Sequence, residues 1–146
     1  MMKFVDNLQD VHSIFLISVE EPIDNQLLLT IREAVVSNDE EYISIGDKTI
    51  GPARRVNNEG PIHQIFFDNY ATYSVFNESF LIFNRDDEYT GRLLVEFSGS
   101  AYLNYIRSNS SMEYVSEEKL RHFGIHCQNH IIYIAALTEP VVSLNI

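Results

Sequence analysis

Residues 13–19, Ser-Ile-Phe-Leu-Ile-Ser-Val, form a short apolar run closed by Glu20-Glu21-Pro22. A run of that length, rich in Ile and Val, predicts a strand. In residues 26–36 the positions Leu27, Leu29, Ile31, Glu33 and Val35 share one parity, so alternation holds with a single exception. The spacing of the Leu residues also fits a helix, but the β-branched end favours a second strand. Ile23-Asp24-Asn25 is compatible with a turn, which makes the two runs an antiparallel pair.

Asn38-Asp39-Glu40 breaks the pattern, and Gly46-Asp47 then separates Tyr42-Ile43-Ser44-Ile45 from Lys48-Thr49-Ile50. Two residues of that kind between apolar runs predict a type II′ hairpin. Residues 51–61 carry Gly-Pro, Asn-Asn and Gly-Pro signals and predict a loop holding Arg54 and Arg55. Residues 62–76 are dense in aromatic and β-branched side chains, with Asp68-Asn69 as a bend or bulge inside them. Residues 80–83 form another short strand and residues 85–88 a charged turn. Residues 91–97 alternate, placing Leu93, Val95 and Phe97 inward and Arg92 and Glu96 outward.

Helical signals come late in the chain. Ser98 or Ser100 can cap a short helix with Tyr102, Leu103 and Ile106 on one face. Ser116, with Glu117 and Glu118 behind it, predicts a second helix ending in Arg121-His122 with Gly124 as its C-cap. Residues 125–137 then form a long strand, and an apolar Val141-Val142 closes the pattern. Together these elements predict an α+β fold in one domain, residues 1–146. The expected sheet has about seven strands, mainly antiparallel and curled or barrel-like, with two short helices on one side, because the links are too short for βαβ crossovers.

Composition sharpens this picture in three ways. Nine Phe and eight Tyr without Trp favour strands over disorder. The lone Cys127 cannot form an internal disulfide, and the first residues lack a signal-like apolar run, so the expected setting is the cytoplasm. No apolar stretch approaches the ~20 residues of a spanning helix. Net charge is −11, from 21 acids against 10 bases. Such a chain repels nucleic acid and anionic lipid and is steered toward a basic partner, although acidity also serves solubility alone.

Among the candidates for chemistry, His122, His126 and His130 stand out around Cys127. Spacings of four place three imidazoles on one helix face or one strand face, and imidazole is the commonest zinc ligand. The expected helix end at Gly124 breaks the row. On one strand His126 and His130 would stand about 13 Å apart, too far to share an ion without a bulge. Structural histidines are therefore the expectation, with a metal-dependent enzyme as the alternative.

Cys127 lacks a nucleophile signature and is expected to be buried. Glu78 reads as a loop acid and not as a general base. The clusters Glu20-Glu21, Asp39-Glu40-Glu41, Asp86-Asp87-Glu88 and Glu117-Glu118 fall at element ends without the pattern of a calcium loop. Phosphate-binding loops, a nucleophile elbow and paired cysteines are all missing, and no cofactor is implied.

Two stretches carry a family resemblance. One is Phe67-Asp68-Asn69-Tyr70-Ala71-Thr72-Tyr73-Ser74-Val75-Phe76-Asn77-Glu78-Ser79. The other runs from Gly91 through Tyr102-Leu103-Asn104-Tyr105-Ile106 to His122-Phe123-Gly124-Ile125 and Asn129-His130. They resemble small uncharacterised bacterial proteins, some associated with toxin–immunity gene neighbourhoods. The resemblance covers about the C-terminal half and implies no residue role.

The leading expectation is a non-enzymatic, acidic protein-binding module, immunity-like, that neutralises a basic toxin. Asp39, Glu40, Glu41, Asp86, Asp87 and Glu88 would form its contact surface, with exposed aromatics as anchors. A small-ligand module with an aromatic-lined cavity inside the curled sheet is a further alternative. The aromatics of residues 62–83 are either all core or partly an exposed patch, which would favour an interface or a homodimer.

Overall fold

A computed structural model describes residues 2–57 and 59–146. A 3-10 turn, Phe4–Asp6, precedes β1 (Ile14–Glu20) and β2 (Leu27–Glu33). Then follow β3 (Val35–Val36), β4 (Glu41–Ile45), β5 (Lys48–Ala53), β6 (Val56–Asn57), β7 (Ile62–Phe67) and β8 (Tyr70–Asn77). A second 3-10 turn, Glu78–Phe80, leads to β9 (Glu88–Gly91) and β10 (Leu94–Gly99). Helices α1 (Ala101–Ser108) and α2 (Met112–Val115) come next, and β11 (Arg121–His126), β12 (His130–Ala136) and β13 (Val141–Ser143) complete the chain.

The architecture is α+β, with antiparallel ladders and two short helices. The described strands number thirteen and not seven, and they divide into four sheets, none of them closed or curled. One sheet runs β1-β2-β7-β13 and the other large one β8-β12-β11-β10-β9, with two-stranded ladders β3-β6 and β4-β5 beside them. The corner lies at Asp68-Asn69, expected as a bend or bulge inside residues 62–76. There the chain leaves β7 in the first sheet and enters β8 in the second. The Tyr70 N–H donates to the Asn25 carbonyl (3.1 Å) and Gln26 Nε2 to Asp68 (3.3 Å), so the corner is tied to the β1–β2 turn.

The main core fills the space between the two large sheets. Leu27, Leu29, Ile31, Ile65 and Phe67 come from one side, and Leu94, Phe123, Ile125, Ile132 and Ile134 from the other. Phe4 closes one end, edge-on to Phe123 at 5.4 Å. The alternation read in β2 therefore points Leu27, Leu29 and Ile31 inward, as expected.

On its other face the five-stranded sheet is covered again. Val95, Phe97, Ile131 and Tyr133 pack with Tyr102, and Leu103 and Ile106 of α1 pack with Leu120 and Ala135. A strand covered on both faces loses its alternation. For that reason Leu94 is buried along with Leu93, Val95 and Phe97, correcting the one-sided reading of residues 91–97.

Other expectations are corrected locally. Ser116 starts no helix: its Oγ accepts the Glu118 N–H (3.1 Å), and the chain extends into β11 from Arg121. Ser and Glu signals that suit a helix start suit such a turn equally. The long strand of residues 125–137 is a hairpin, β11–β12, turning at Cys127-Gln128-Asn129. Asn129 Nδ2 donates to the Leu16 carbonyl (3.1 Å) and its Oδ1 accepts the Leu16 N–H (3.0 Å), pinning this turn to β1.

Residues 51–61 are less of a loop than expected, because β5 and β6 occupy much of them; Asn58 lies outside the described residues. Gly46, with a φ of +60°, makes the two-residue β4–β5 turn, and Asp47 keeps a negative φ, the combination a type II′ turn needs. Ser100 caps α1 as expected, its Oγ accepting the Leu103 N–H at 3.0 Å.

Candidate functional site

Residues 80–83, Phe-Leu-Ile-Phe, do not form the expected strand. The Asn77 side chain accepts the Ser79 N–H (3.0 Å) and starts the short 3-10 turn, after which the chain runs without ladder partners. Leu81 alone turns inward, against the outer cluster of Phe76 and Tyr133. Its neighbours are forced outward: Phe80 is 79% exposed, Ile82 90% and Phe83 55%. Such a cluster on a polar rim is the usual mark of an interaction site. Behind it the Phe83 and Tyr89 rings each meet the His126 ring edge-on at 6.0 Å, and Tyr89 rests on Phe97 at 5.4 Å.

The rim next to this ledge is acidic. Asn84 accepts the Asp86 N–H through its side chain (2.9 Å) and the Asp87 N–H through its carbonyl (3.2 Å), which holds the turn. Asp86 and Glu88 are exposed, while Asp87 is half-buried and accepts the Ala101 N–H at the start of α1 (3.0 Å). Asp87 thus also stabilises the helix, where a carboxylate favours the dipole. Burial, with smaller contributions from Asp87 and Tyr89, pushes the Tyr133 hydroxyl up to about 12, so it stays neutral.

The other expected acids, Asp39, Glu40 and Glu41, are exposed near the start of β4, in a different sheet from Glu88 of β9. Glu41 is paired with Arg55 at 2.7 Å. Asp86, Asp87 and Glu88 follow the apolar ledge closely along the chain.

The three histidines are not gathered together. His122 and His126 lie four residues apart on β11, which spans about 13 Å. His126 pairs with Ile131, so its side chain and that of His130 point to opposite faces of the sheet. Among the described residues no group of three His, Cys, Asp or Glu side chains is placed to hold a metal ion. His122 is fully buried, stacked on Phe97 at 4.0 Å, and burial drives it down to about 3. Ser100 Oγ lies 2.7 Å from its Nδ1. Since that oxygen accepts the Leu103 N–H, the hydroxyl hydrogen is free to donate to the ring. Burial also lowers His126.

Cys127 is buried and its thiol is pushed up to about 12, the state of a core residue without nucleophilic character. Glu78 is exposed in the 3-10 turn.

A further titratable pair was not visible in the sequence. His63, 1% exposed on β7, lies 2.6 Å from Glu33 on β2, and its Nδ1 accepts the Asn145 N–H at 2.9 Å. That amide fixes the tautomer, so Nε2–H donates to Glu33. Both ring nitrogens are engaged, and the pair fastens the C-terminal segment to the sheet. A cleft of about 290 Å3 borders it, lined by Asp6, Asp10, Val11 and Leu144 among others.

What the sequence reading missed at the ledge had a signal. Four consecutive apolar residues without alternation, followed by Asn-Arg-Asp-Asp, lack the polar face of a half-buried strand. In comparisons with protein-family models, curated proteins and solved structures, nothing matches this chain.

Proposed function

We propose that this chain is a non-enzymatic, acidic protein-binding module that docks on a basic partner, in the manner of an immunity protein occluding a toxin surface. The observation that supports it is the ledge itself: Phe80, Ile82 and Phe83 stand exposed on a segment anchored by Leu81, beside Asp86 and Glu88. Exposed aromatic and aliphatic side chains supply the buried centre of an interface, and rim carboxylates supply steering and orientation toward Arg and Lys. A net charge of −11 acts in the same sense at longer range.

The test is capture of a basic protein from the source lysate at low and high salt, repeated with a Phe80→Ser/Ile82→Ser variant. Specific, salt-weakened capture that the variant loses supports the reading. Capture that survives the double substitution removes the ledge from it. Reversing Asp86 and Glu88 to Lys should slow association and flatten its salt dependence, and unchanged kinetics would count against those carboxylates.

A further inference from the structure

Residues 35–57 leave the first sheet as a ribbon. Val35 and Asn57 pair at its neck, and β4 and β5 carry it outward. Its departure is tight: a Cβ on Gly60 would sit 2.5 Å from the Glu33 carbonyl oxygen. Every residue of β4 and β5 is exposed. The register pairs Ile43 with Ile50 and Ile45 with Lys48, while Ser44 pairs with Thr49. Cross-strand partners share a face. One face therefore carries Ile43, Ile45 and Ile50, which are 51%, 61% and 52% exposed, with Lys48 at its tip, and the other carries Ser44 and Thr49 beside Tyr42.

A two-stranded ribbon alone is marginal in water and gains stability by covering such a face. Its charges indicate what covers it. The chain carries −11 overall, yet residues 39–55 hold Asp39, Glu40, Glu41 and Asp47 against Lys48, Arg54 and Arg55, a net of −1. A contact within residues 56–88, which carry a net of −5, would bring like charges together, whereas here two copies meet with little of that cost. The ribbon is also complementary to itself: Asp47 and Lys48 stand at the tip, and Glu40 and Arg54 lie near the base.

We propose that two copies of this chain pair through this ribbon, apolar face on apolar face and tip over base, so that Lys48 meets Glu40 and Asp47 meets Arg54 of the second copy. This rests on different residues from the docking ledge. A contact confined to one ribbon face belongs to the weak class of interfaces.

Sedimentation equilibrium from ~1 μM to ~1 mM tests it. The intact chain should dimerise, and Ile43→Thr/Ile50→Thr, which keeps β-branched residues in the ribbon, should weaken the dimer at least tenfold. Lys48→Glu and Glu40→Lys should each weaken it, and the two together should restore it. This charge pair decides the matter if amide NMR shows that the Thr variant loses the ribbon. A chain that stays monomeric throughout, a dimer indifferent to Ile43→Thr/Ile50→Thr with the ribbon intact, or charge swaps that fail to restore one another would each overturn the proposal. Phe80→Ser/Ile82→Ser should leave the dimer unchanged, which separates this contact from the ledge.

Discussion

Strands β10 to β12 and the β4–β5 ribbon draw on similar residues, Ile and Tyr among them, and meet opposite surroundings. In β12 every residue from Ile131 to Ala136 is buried, one face against the first sheet and the other against α1 and its neighbours. In the ribbon both faces meet solvent. Apolar content therefore makes a strand in both places, and the layers around it decide how firmly it is held. Burial on two faces stabilises by about 25 cal/mol per Å2 of apolar surface removed from water, whereas the ribbon relies on its ladder hydrogen bonds, cross-strand contacts and the exposed Glu41–Arg55 pair.

The comparison would break first at the doubly covered sheet. Ile134 is fully buried and paired with Phe123, so Ile134→Ala should cost about 3–4 kcal/mol in denaturant unfolding. A cost near that of an exposed Ile would mean that the two layers do not close on β12.

Acid sharpens the same contrast. The unfolded chain takes up a proton on His122 near 6.5, and the folded chain refuses it until about 3. The folded state therefore binds fewer protons between those values, and stability falls as pH drops from 6.5 toward 3. His126 shifts in the same direction. The loss should reach a few kcal/mol, and His122→Gln should flatten that slope in unfolding curves taken between pH 7 and 4. A slope unaltered by the substitution would mean that His122 is not held neutral by burial.

Next is the tie between the sheets. Asn129→Ala leaves the Leu16 N–H and carbonyl without their side-chain partners and should cost about 1–3 kcal/mol, read from the shift in denaturation midpoint. The smallest effect belongs to the solvent side: Ile82→Ser should change stability by no more than about 0.5 kcal/mol, because no packing is lost there. A larger cost would show that the ledge is packed in solution.

Much of the fold could be read from local pattern. The β1–β2 pair, the Gly46-Asp47 hairpin, the Ser100 cap and the inward face of β2 each follow from spacing within a few residues. What failed depended on distant partners. The split into two sheets at Asp68-Asn69 and the double burial of β10 have no local signature, because a polar pair serves a bend and a corner alike. Glu117 and Glu118 suited a helix start, but Phe123 and Ile125 are drawn into an extended strand by the sheet they complete, and Leu120 before them is buried against α1. At the site, Asp86, Asp87 and Glu88 were legible as acids at an element end. That Phe80, Ile82 and Phe83 stand outside the core beside them was not, since exposure depends on what else claims the interior.

The neck of the ribbon has an engineering consequence. Val35 and Asn57 are ladder partners, so the segment between them begins and ends at the same rung. The chain thus closes a loop there whose length costs little to vary, about 0.6 kcal/mol for each doubling. A cassette of different length or chemistry could replace residues 37–55 without moving β2 or β7. In that sense the domain carries its own graft port, through which a new specificity could be installed while the two large sheets serve as an unchanged chassis.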